Sequence, residues 1–463
     1  MAPYAEPVTI AAGLLDSLTA ELGDVVISDP DILAAYRQDR AEDPDAGTPL
    51  ALLRPRTTAD VQTAVRWCAA NSVPIVTRGR GTSLSGGATA VDGAVVLTTE
   101  RMQRVVIDTA TRTAVCEPGA LNVEVKAAAA AEGLWYPPDP SSFEICSIGG
   151  NAATNAGGLC CVKYGVTVDY VLALEVVLAD GRAIRLGGKL LKDSAGLPLT
   201  KLFVGSEGLL GIITEVTVRL LPAQPAASTV VGTFADVGDA SRAVLAITGR
   251  IRPAMLEFMD GVSINAVEDM LHMDLDRSAG ALLVAQSDAP GEAGAAEIAI
   301  IEAAFRDNGA GDVFSTDDPD EGEMFTAARR AAIPAVERLG SLLLEDVGVP
   351  LPQLPTLVEG VAAIATERDV VISVIAHAGD GNTHPLIVFD PADSDQTQRA
   401  HLAFGEVMEL AINLGGTITG EHGVGRLKKG YLAAQVGEDV MELTRTIKQA
   451  LDPQGLLNPG VML

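Results

Sequence analysis

Two histidines, His377 and His384, stand seven residues apart in the segment His377-Ala-Gly-Asp-Gly-Asn-Thr-His384-Pro385. Imidazole is the commonest metal ligand and titrates near neutral pH, so two that meet in space can share a cation. On one helix, residues seven apart are two turns or roughly 10 Å apart. On one strand an odd separation sends them to opposite faces. Across the mouth of a hairpin they stand side by side, with Cβ atoms about 5 Å apart. The flanks favour the hairpin: residues 370–376 and 386–389 are apolar, and Gly379, Asp380, Gly381 and Asn382 supply turn chemistry. A third candidate ligand lies in Gly420-Glu421-His422-Gly423. Two histidines and a carboxylate leave coordination positions open, as a catalytic metal requires. A polar loop without a ligand is the plain alternative. Against it, the chain has five histidines (His272, His377, His384, His401 and His422), and three of them fall in these two glycine-flanked segments.

The elements that must position these groups can be read in outline. Residues 1–48 read as helical, then loop-rich and acidic. A short strand at 50–53 precedes a helix to about Asn71, capped by Thr57-Thr58-Ala59-Asp60. A strand at 73–77 delivers the chain to Arg78-Gly79-Arg80-Gly81-Thr82-Ser83-Leu84-Ser85-Gly86-Gly87. Its glycines allow backbone amides to approach an anion, and its hydroxyls add donors, so it is a phosphate-binding candidate. It is not a Rossmann fingerprint, because Leu84 replaces the third glycine and a strand (94–99) follows. A hairpin-like stretch (105–117), Pro118-Gly119, an Ala-rich helix (122–132) and a stiff loop (135–142) come next. Ile148-Gly-Gly-Asn-Ala-Ala-Thr-Asn-Ala-Gly-Gly158 lacks the Leu or Val spacing of a core helix. It reads as backbone built for close approach to a flat or phosphorylated ligand, with a linker as the plain alternative.

Strands at 171–178 and 183–186 are joined by Asp180-Gly181. A helix near Thr200, Gly205-Ser-Glu-Gly208 and a strand over 211–222 close the first part, and residues 222–227 read as a domain boundary. Beyond it strands (228–234, 254–260, 281–287) alternate with helices (236–249, 262–271, 290–307). This predicts an antiparallel sheet with helices on one face. A helix at about 323–332, stopped by Pro334, carries Arg329-Arg330 among alanines, which leaves an arginine open access to a carboxylate; a solvent-facing pair is the alternative. The histidine hairpin, an amphipathic helix (394–413), residues 417–426, a last helix (435–450) and Leu456-Leu-Asn-Pro-Gly460 follow.

At 463 residues, two or three domains are expected. The 33 basic against 61 acidic residues give a charge of -28, which argues against nucleic acid and anionic membrane surfaces as partners. An anionic substrate therefore needs a locally basic pocket. No stretch reads as a signal peptide, and no apolar run reaches the ~18 residues of a membrane span. Five cysteines without C-x-x-C spacing predict no structural disulfide, a reducing cytoplasm and no iron–sulfur cluster, with Cys160-Cys161 as buried, inert thiols.

Four segments in order (78–87, 147–158, 377–385 and 420–425) resemble the FAD-linked oxidases of the vanillyl-alcohol-oxidase/PCMH superfamily. The resemblance is strongest to the D-2-hydroxyacid dehydrogenase branch: the glycolate oxidase catalytic subunit, D-lactate dehydrogenases and D-2-hydroxyglutarate dehydrogenase. It implies an α+β protein with a PCMH-type FAD-binding domain (1–223), a ferredoxin-like α+β substrate-binding cap (224–415) and a C-terminal segment (416–463) that returns to complete the active site and the FAD domain. It implies FAD contacts from Arg78, Gly79, Arg80, Gly81, Thr82, Ser83 and Gly86, then from Pro118, Gly119, Pro138, Asp139 and Ser142. Further contacts are implied for Gly149, Gly150, Asn151, Thr154, Asn155, Gly157, Gly158 and Tyr164, and for Glu207, Gly208, Ile212 and Asn458. Histidyl attachment of FAD in the first domain is excluded, since no histidine precedes His272, while cysteinyl attachment is not; non-covalent binding is expected because the branch usually holds FAD without a bond.

By the same resemblance His377, His384 and Glu421 hold a divalent metal (zinc, manganese or iron), His422 is the base, and Arg329 binds the substrate carboxylate. Asp380 is a candidate to orient a ligand histidine. Pro385-Leu386 resembles the glycolate oxidase subunit, whereas D-2-hydroxyglutarate enzymes carry Asn at the position of Leu386. The implied reaction is FAD- and metal-dependent oxidation of a small D-2-hydroxy acid, of glycolate or D-lactate type, to the 2-oxo acid. D-2-hydroxyglutarate oxidation, a non-catalytic flavoprotein subunit and a flavin-free metal hydrolase are the rival readings. Electrons are expected to leave to a quinone, an electron-transfer flavoprotein, an iron–sulfur partner subunit or oxygen. A cytoplasmic enzyme is expected, with any membrane association made through a partner; a homodimer is one assembly it allows.

Overall fold

The computed structural model describes residues 13–41 and 43–463, so the helical reading of residues 1–12 lies outside the described residues. Thr57 and Asp60 form the capping box the sequence predicts. Asp60 N–H donates to Thr57 Oγ1 at 3.2 Å, and Asp60 Oδ2 accepts the Thr57 amide at 3.0 Å. The helix Thr58–Asn71 follows. It belongs to the first of two units, which comprises the residues up to Ala156, Val166–Ala223 and Glu421–Leu463. Here a four-stranded sheet runs Val26–Ile27, Ala51–Leu53, Val95–Thr98, Ile75–Arg78. The last three strands are parallel. Val95–Thr98 is buried at every position, as a strand covered on both faces must be. Leu18, Val61, Val65, Trp67, Ile75, Val95 and Leu97 share one core. A five-stranded antiparallel sheet runs Val105–Asp108, Thr113–Cys116, Ile212–Arg219, Val171–Val177, Ala183–Gly187. Gly181, at φ +78°, makes the Asp180-Gly181 turn.

The run 148–158 departs from its sequence reading, because Ile148–Thr154 is a helix. Ser147 caps it by accepting the Gly150 amide at 3.3 Å. Small residues are needed here for approach: a Cβ on Gly149 would lie 2.5 Å from Pro118 Cβ.

The second unit comprises Gly157–Gly165 and Gln224–Gly420. One antiparallel sheet orders its strands Ala310–Thr316, Ser228–Phe234, Ala281–Ser287, Met255–Asp260, Val371–His377, Asn382–Phe389, Ser341–Leu344, with Val347–Gly348 also on Asn382–Phe389. Helices cover both faces, not one. Val231 lies in a cluster with Ile264 and Ala328, from the helices Gly261–Leu271 and Pro319–Arg330. Its neighbour Gly232 points the other way, where a Cβ would meet the Phe305 ring at 2.5 Å. Pro334 does not stop a helix either. The first helix ends at Arg330, and Pro334 lies in the opening turn of Ala332–Glu337, where its missing N–H costs nothing. The helices Leu354–Arg368 and Lys429–Val436 had no sequence prediction. None of the five cysteines forms a disulfide among the described residues, and Cys161 is only half-buried.

Candidate functional site

In the second unit the histidine hairpin forms with a turn at residues 378–381. Its register pairs His377 with Asn382 and His384 with Ile375. The two histidines are therefore diagonal, not directly opposite, and they share a face because His377 and Ile375 do. Their rings lie 5.1 Å apart, nearly perpendicular. The adjacent strand pairs Phe258 with Ala376, which sets Glu257 beside His377 on the same face. His377 Nδ1 lies 2.9 Å from Glu257 Oε1. On the other flank His384 Nδ1 lies 3.6 Å from Asp346 Oδ1.

The result is a row, Glu257, His377, His384, Asp346, whose first three members sit on neighbouring strands and whose last lies in the link between Ser341–Leu344 and Val347–Gly348. All four are at least 97% buried. Asp346 also accepts from Thr419 Oγ1 at 2.7 Å and from the Gly420 amide at 3.0 Å, so it fixes the chain one residue before Glu421. Arg329 is not solvent-facing. It is 1% exposed, and its Nη2 lies 2.9 Å from Glu257 Oε2, while Arg330 turns out to Glu323. The strand carrying His377 is tied down by Asp260, whose Oδ2 accepts the Val374 amide at 2.7 Å. Burial raises the Asp260 pKa above the usual carboxylate range, against the pull of these hydrogen bonds.

Buried imidazoles backed by carboxylates suit a divalent cation. A proton on His377 Nδ1, donated to Glu257, leaves Nε2 with its lone pair. The donors are nitrogen and carboxylate oxygen, which fit zinc, manganese or iron alike.

In the first unit the glycine-rich segments converge. A Cβ on Gly79 would lie 2.6 Å from Ser147 Oγ and 3.5 Å from Gly150 Cα. The Gly149 amide donates to Pro118 O at 2.8 Å, and the Glu207 amide donates to Ala153 O at 2.8 Å. Asn458 spans the group: its Oδ1 accepts the Thr77 amide at 2.7 Å, and its Nδ2 donates to Glu207 O at 2.6 Å. Asn155, Glu207 and Asn458 all hold left-handed φ angles (57°, 49° and 43°), an unusual conformation for residues with side chains. Asn151 is 4% exposed, and its Nδ2 has no hydrogen-bond partner with normal geometry among the described residues. Glycines with no room for a Cβ beside a buried, unpaired amide suit a close-lying polar ligand such as FAD. Arg80 also enters the wall of a concavity of about 480 Å³ with Arg54, Arg56 and Arg101. That is a local excess of positive charge in a chain of net charge -28.

The Glu421-His422 segment is anchored within this unit. Ser85 Oγ donates to His422 O at 3.1 Å, and Ser85 O accepts the Arg426 amide at 2.9 Å. Glu207 accepts the Val424 and Gly425 amides, one on each carboxylate oxygen, both at 2.7 Å. Burial pushes the Glu207 carboxyl up to about 7, against those two amides. His422 Nε2 lies 3.6 Å from Glu421 Oε1. Of the other predicted FAD contacts, Gly157, Gly158 and Tyr164 fall in the second unit, where the Tyr164 hydroxyl and Lys163 both bond to Asp288. Pro138 O accepts Asn122 Nδ2 at 3.2 Å.

Glu257 and Asp346 escaped the sequence reading. The one available signal was a carboxylate inside an otherwise apolar strand, Met255-Leu-Glu257-Phe-Met259.

The family described as FAD linked oxidases, C-terminal domain, matches residues 223–462, and the FAD binding domain family matches residues 49–187. Glycolate oxidase subunit GlcD of Bacillus subtilis is 42% identical over 417 residues, 89% of each chain. D-lactate dehydrogenase of Archaeoglobus fulgidus is 33% identical over 435 residues, 92% of this chain and 95% of its own. Among solved structures, substrate-bound p-cresol methylhydroxylase superposes with a TM-score of 0.81 at 19% identity, over 98% of both chains, and so shares the fold. The chain belongs to the FAD-linked oxidases. It is an oxidoreductase with a PCMH-like FAD-binding fold. Among the described residues, no helix is long and apolar enough to cross a membrane.

Proposed function

We propose that the protein oxidises a small D-2-hydroxy acid, of glycolate or D-lactate type, to the 2-oxo acid with FAD and a divalent metal. The observation that carries the reading is the buried row Glu257–His377–His384–Asp346 with Arg329 on Glu257. The names of the relatives, glycolate oxidase subunit and D-lactate dehydrogenase, support the substrate class. His377 and His384 would hold the metal, with Glu421, one residue past the Asp346-bound Gly420, as the third ligand. A divalent cation there supplies a lowered pKa for a coordinated hydroxyl. FAD, held by the segments around Gly79, Gly149 and Asn458, supplies the two-electron acceptor.

The chain's own residues do the rest. Arg329 offers its guanidinium to the substrate carboxylate, a match suited to two parallel N–H···O bonds. His422 takes the hydroxyl proton, a task for a group that titrates near neutrality. Leu386 is fully buried in the core, so that position offers no polar group to a second substrate carboxylate, which favours a small acid over 2-hydroxyglutarate. An electron acceptor outside the chain completes turnover, and the relative's name as a subunit supports a partner protein in that role.

The test is anaerobic. Purified protein is mixed separately with D-lactate, L-lactate, glycolate and D-2-hydroxyglutarate, and the flavin band near ~450 nm is followed. Bleaching by glycolate or D-lactate that a chelator abolishes is the expected result. Bleaching by D-2-hydroxyglutarate alone would reassign the substrate, and a colourless protein that takes up no FAD would refute the proposal.

A further inference from the structure

The row of buried groups contains one residue that touches two of the proposed functional side chains at once. Glu257 is 1% exposed, on the strand Met255–Asp260. Both its oxygens lie within reach of His377 Nδ1, at 2.9 and 3.0 Å, and Oε2 also lies 2.9 Å from Arg329 Nη2. His377 comes from the neighbouring strand and Arg329 from the helix Pro319–Arg330, so three separate elements meet on one carboxylate.

We infer that Glu257 is a positioning residue that sets the metal-binding face of His377 and the orientation of Arg329 together. This rests on the metal-dependent reading above. The chemistry follows from the atoms. A carboxylate accepts but does not donate, so it selects the His377 tautomer with its proton on Nδ1 and its lone pair on Nε2, the form that ligates a metal. The same charge holds the guanidinium plane of Arg329, so the arginine presents a fixed edge to a substrate carboxylate. Removing this carboxylate takes a charge-assisted contact from a buried arginine and releases the orientation that contact sets. One carboxylate thus ties the spacing between metal and substrate anchor to the spacing between two strands and a helix. On the other flank Asp346 stands beside His384 and bonds to Thr419 Oγ1 and the Gly420 amide, whereas Glu257 bonds to the proposed substrate-binding arginine.

Two variants separate this role from simple support of the fold. Glu257→Leu removes the acceptor. Glu257→Gln keeps one oxygen for His377 Nδ1–H but turns an NH2 toward Arg329. Manganese or zinc is titrated into metal-stripped holoprotein in competition with a chromophoric chelator, and KM and kcat are measured with the acid that bleaches the flavin. Glu257→Leu is expected to weaken metal affinity about 10–100-fold, the usual loss for a partner behind a ligand histidine, and to raise KM. Glu257→Gln is expected to restore metal affinity to near wild type while KM stays raised. Folded Glu257→Leu protein with wild-type metal affinity and KM would overturn the inference. If that variant does not fold, Glu257→Gln with an unchanged KM overturns it. A wild-type protein that binds no metal would instead bring down the metal reading itself, a result distinct from equal binding by wild type and variant.

Discussion

Replacing Glu207 by glutamine sets two effects of opposite sign against each other. The carboxylate accepts the Val424 and Gly425 amides on separate oxygens, both at 2.7 Å. Glutamine keeps one acceptor and aims an NH2 at the other buried amide, a cost of about 1–3 kcal/mol. Against this, burial raises the carboxyl from 4.5 to about 7, so the folded chain binds that proton more tightly than the unfolded chain. The stability tied to the proton is fully present below pH 4.5 and is lost as the pH rises through 7. At ~1.4 kcal/mol per pH unit, the loss between pH 5 and pH 8 comes to roughly 2–3 kcal/mol. Glutamine does not titrate. The variant is therefore expected to be less stable than wild type at pH 5, with a gap that narrows by about 2–3 kcal/mol by pH 8. Urea unfolding of both proteins, followed by far-UV circular dichroism from pH 5 to pH 8, measures the gap; other titrating groups cancel in the difference. A gap that stays constant across that range would refute the assignment of a raised pKa to Glu207.

Gly79→Ala puts a Cβ 2.6 Å from Ser147 Oγ. Flavin content after dialysis should fall well below that of wild type, and a fully yellow variant would remove this contact from the cofactor site. Gly381 holds φ +84°, and a Cβ there would lie 2.4 Å from Val349 O. Gly381→Ala should distort the hairpin turn and weaken metal binding at least tenfold by chelator competition, with flavin content unchanged. Asp452 is buried and accepts the Leu456 and Leu457 amides at 3.0 and 2.8 Å, as well as Lys448 Nζ. Asp452→Ala should cost about 3 kcal/mol in urea unfolding, because it strands two amides and leaves a largely buried ammonium with only the Leu209 and Leu457 carbonyl oxygens and no countercharge. His422→Ala, and separately a chelator, should each leave the flavin bound and abolish its reduction by the hydroxy acid; near-normal reduction in rapid mixing would remove His422 or the metal from the reaction.

Local chemistry was legible wherever one or two residues decide a conformation. Thr57 and Asp60 announced their capping box, Asp180-Gly181 its turn, and the apolar flanks of His377 and His384 their hairpin. The run 148–158 misled because its helix is held by what approaches it. Gly149 lies against Pro118 and Gly79 against Ser147, so small residues replace the apolar stripe that usually identifies a helix. Pro334 misled for the opposite reason. Proline breaks a helix interior, but in the first turn of Ala332–Glu337 it removes no hydrogen bond. Helices on both faces of the second sheet could have been suspected from Ala281–Ser287, a strand with almost no alternation of apolar and polar residues.

The site itself divides along the same line. His377 and His384 are seven residues apart, and their meeting depends on turn length: with four residues at 378–381, His377 pairs with Asn382, and His384 falls across from Ile375. A one-residue slip would send the two rings to opposite faces, so a hairpin prediction alone carries the pair only if its register is right. Glu257 depends on a register between strands 120 residues apart in sequence, Phe258 with Ala376, which no local pattern encodes. The identity of its partners is not encoded by its own neighbours. That it has partners follows from its cost: an ionisable side chain in an apolar strand needs a partner that compensates burial. Here two such partners, His377 and Arg329, are groups that the proposed reaction uses.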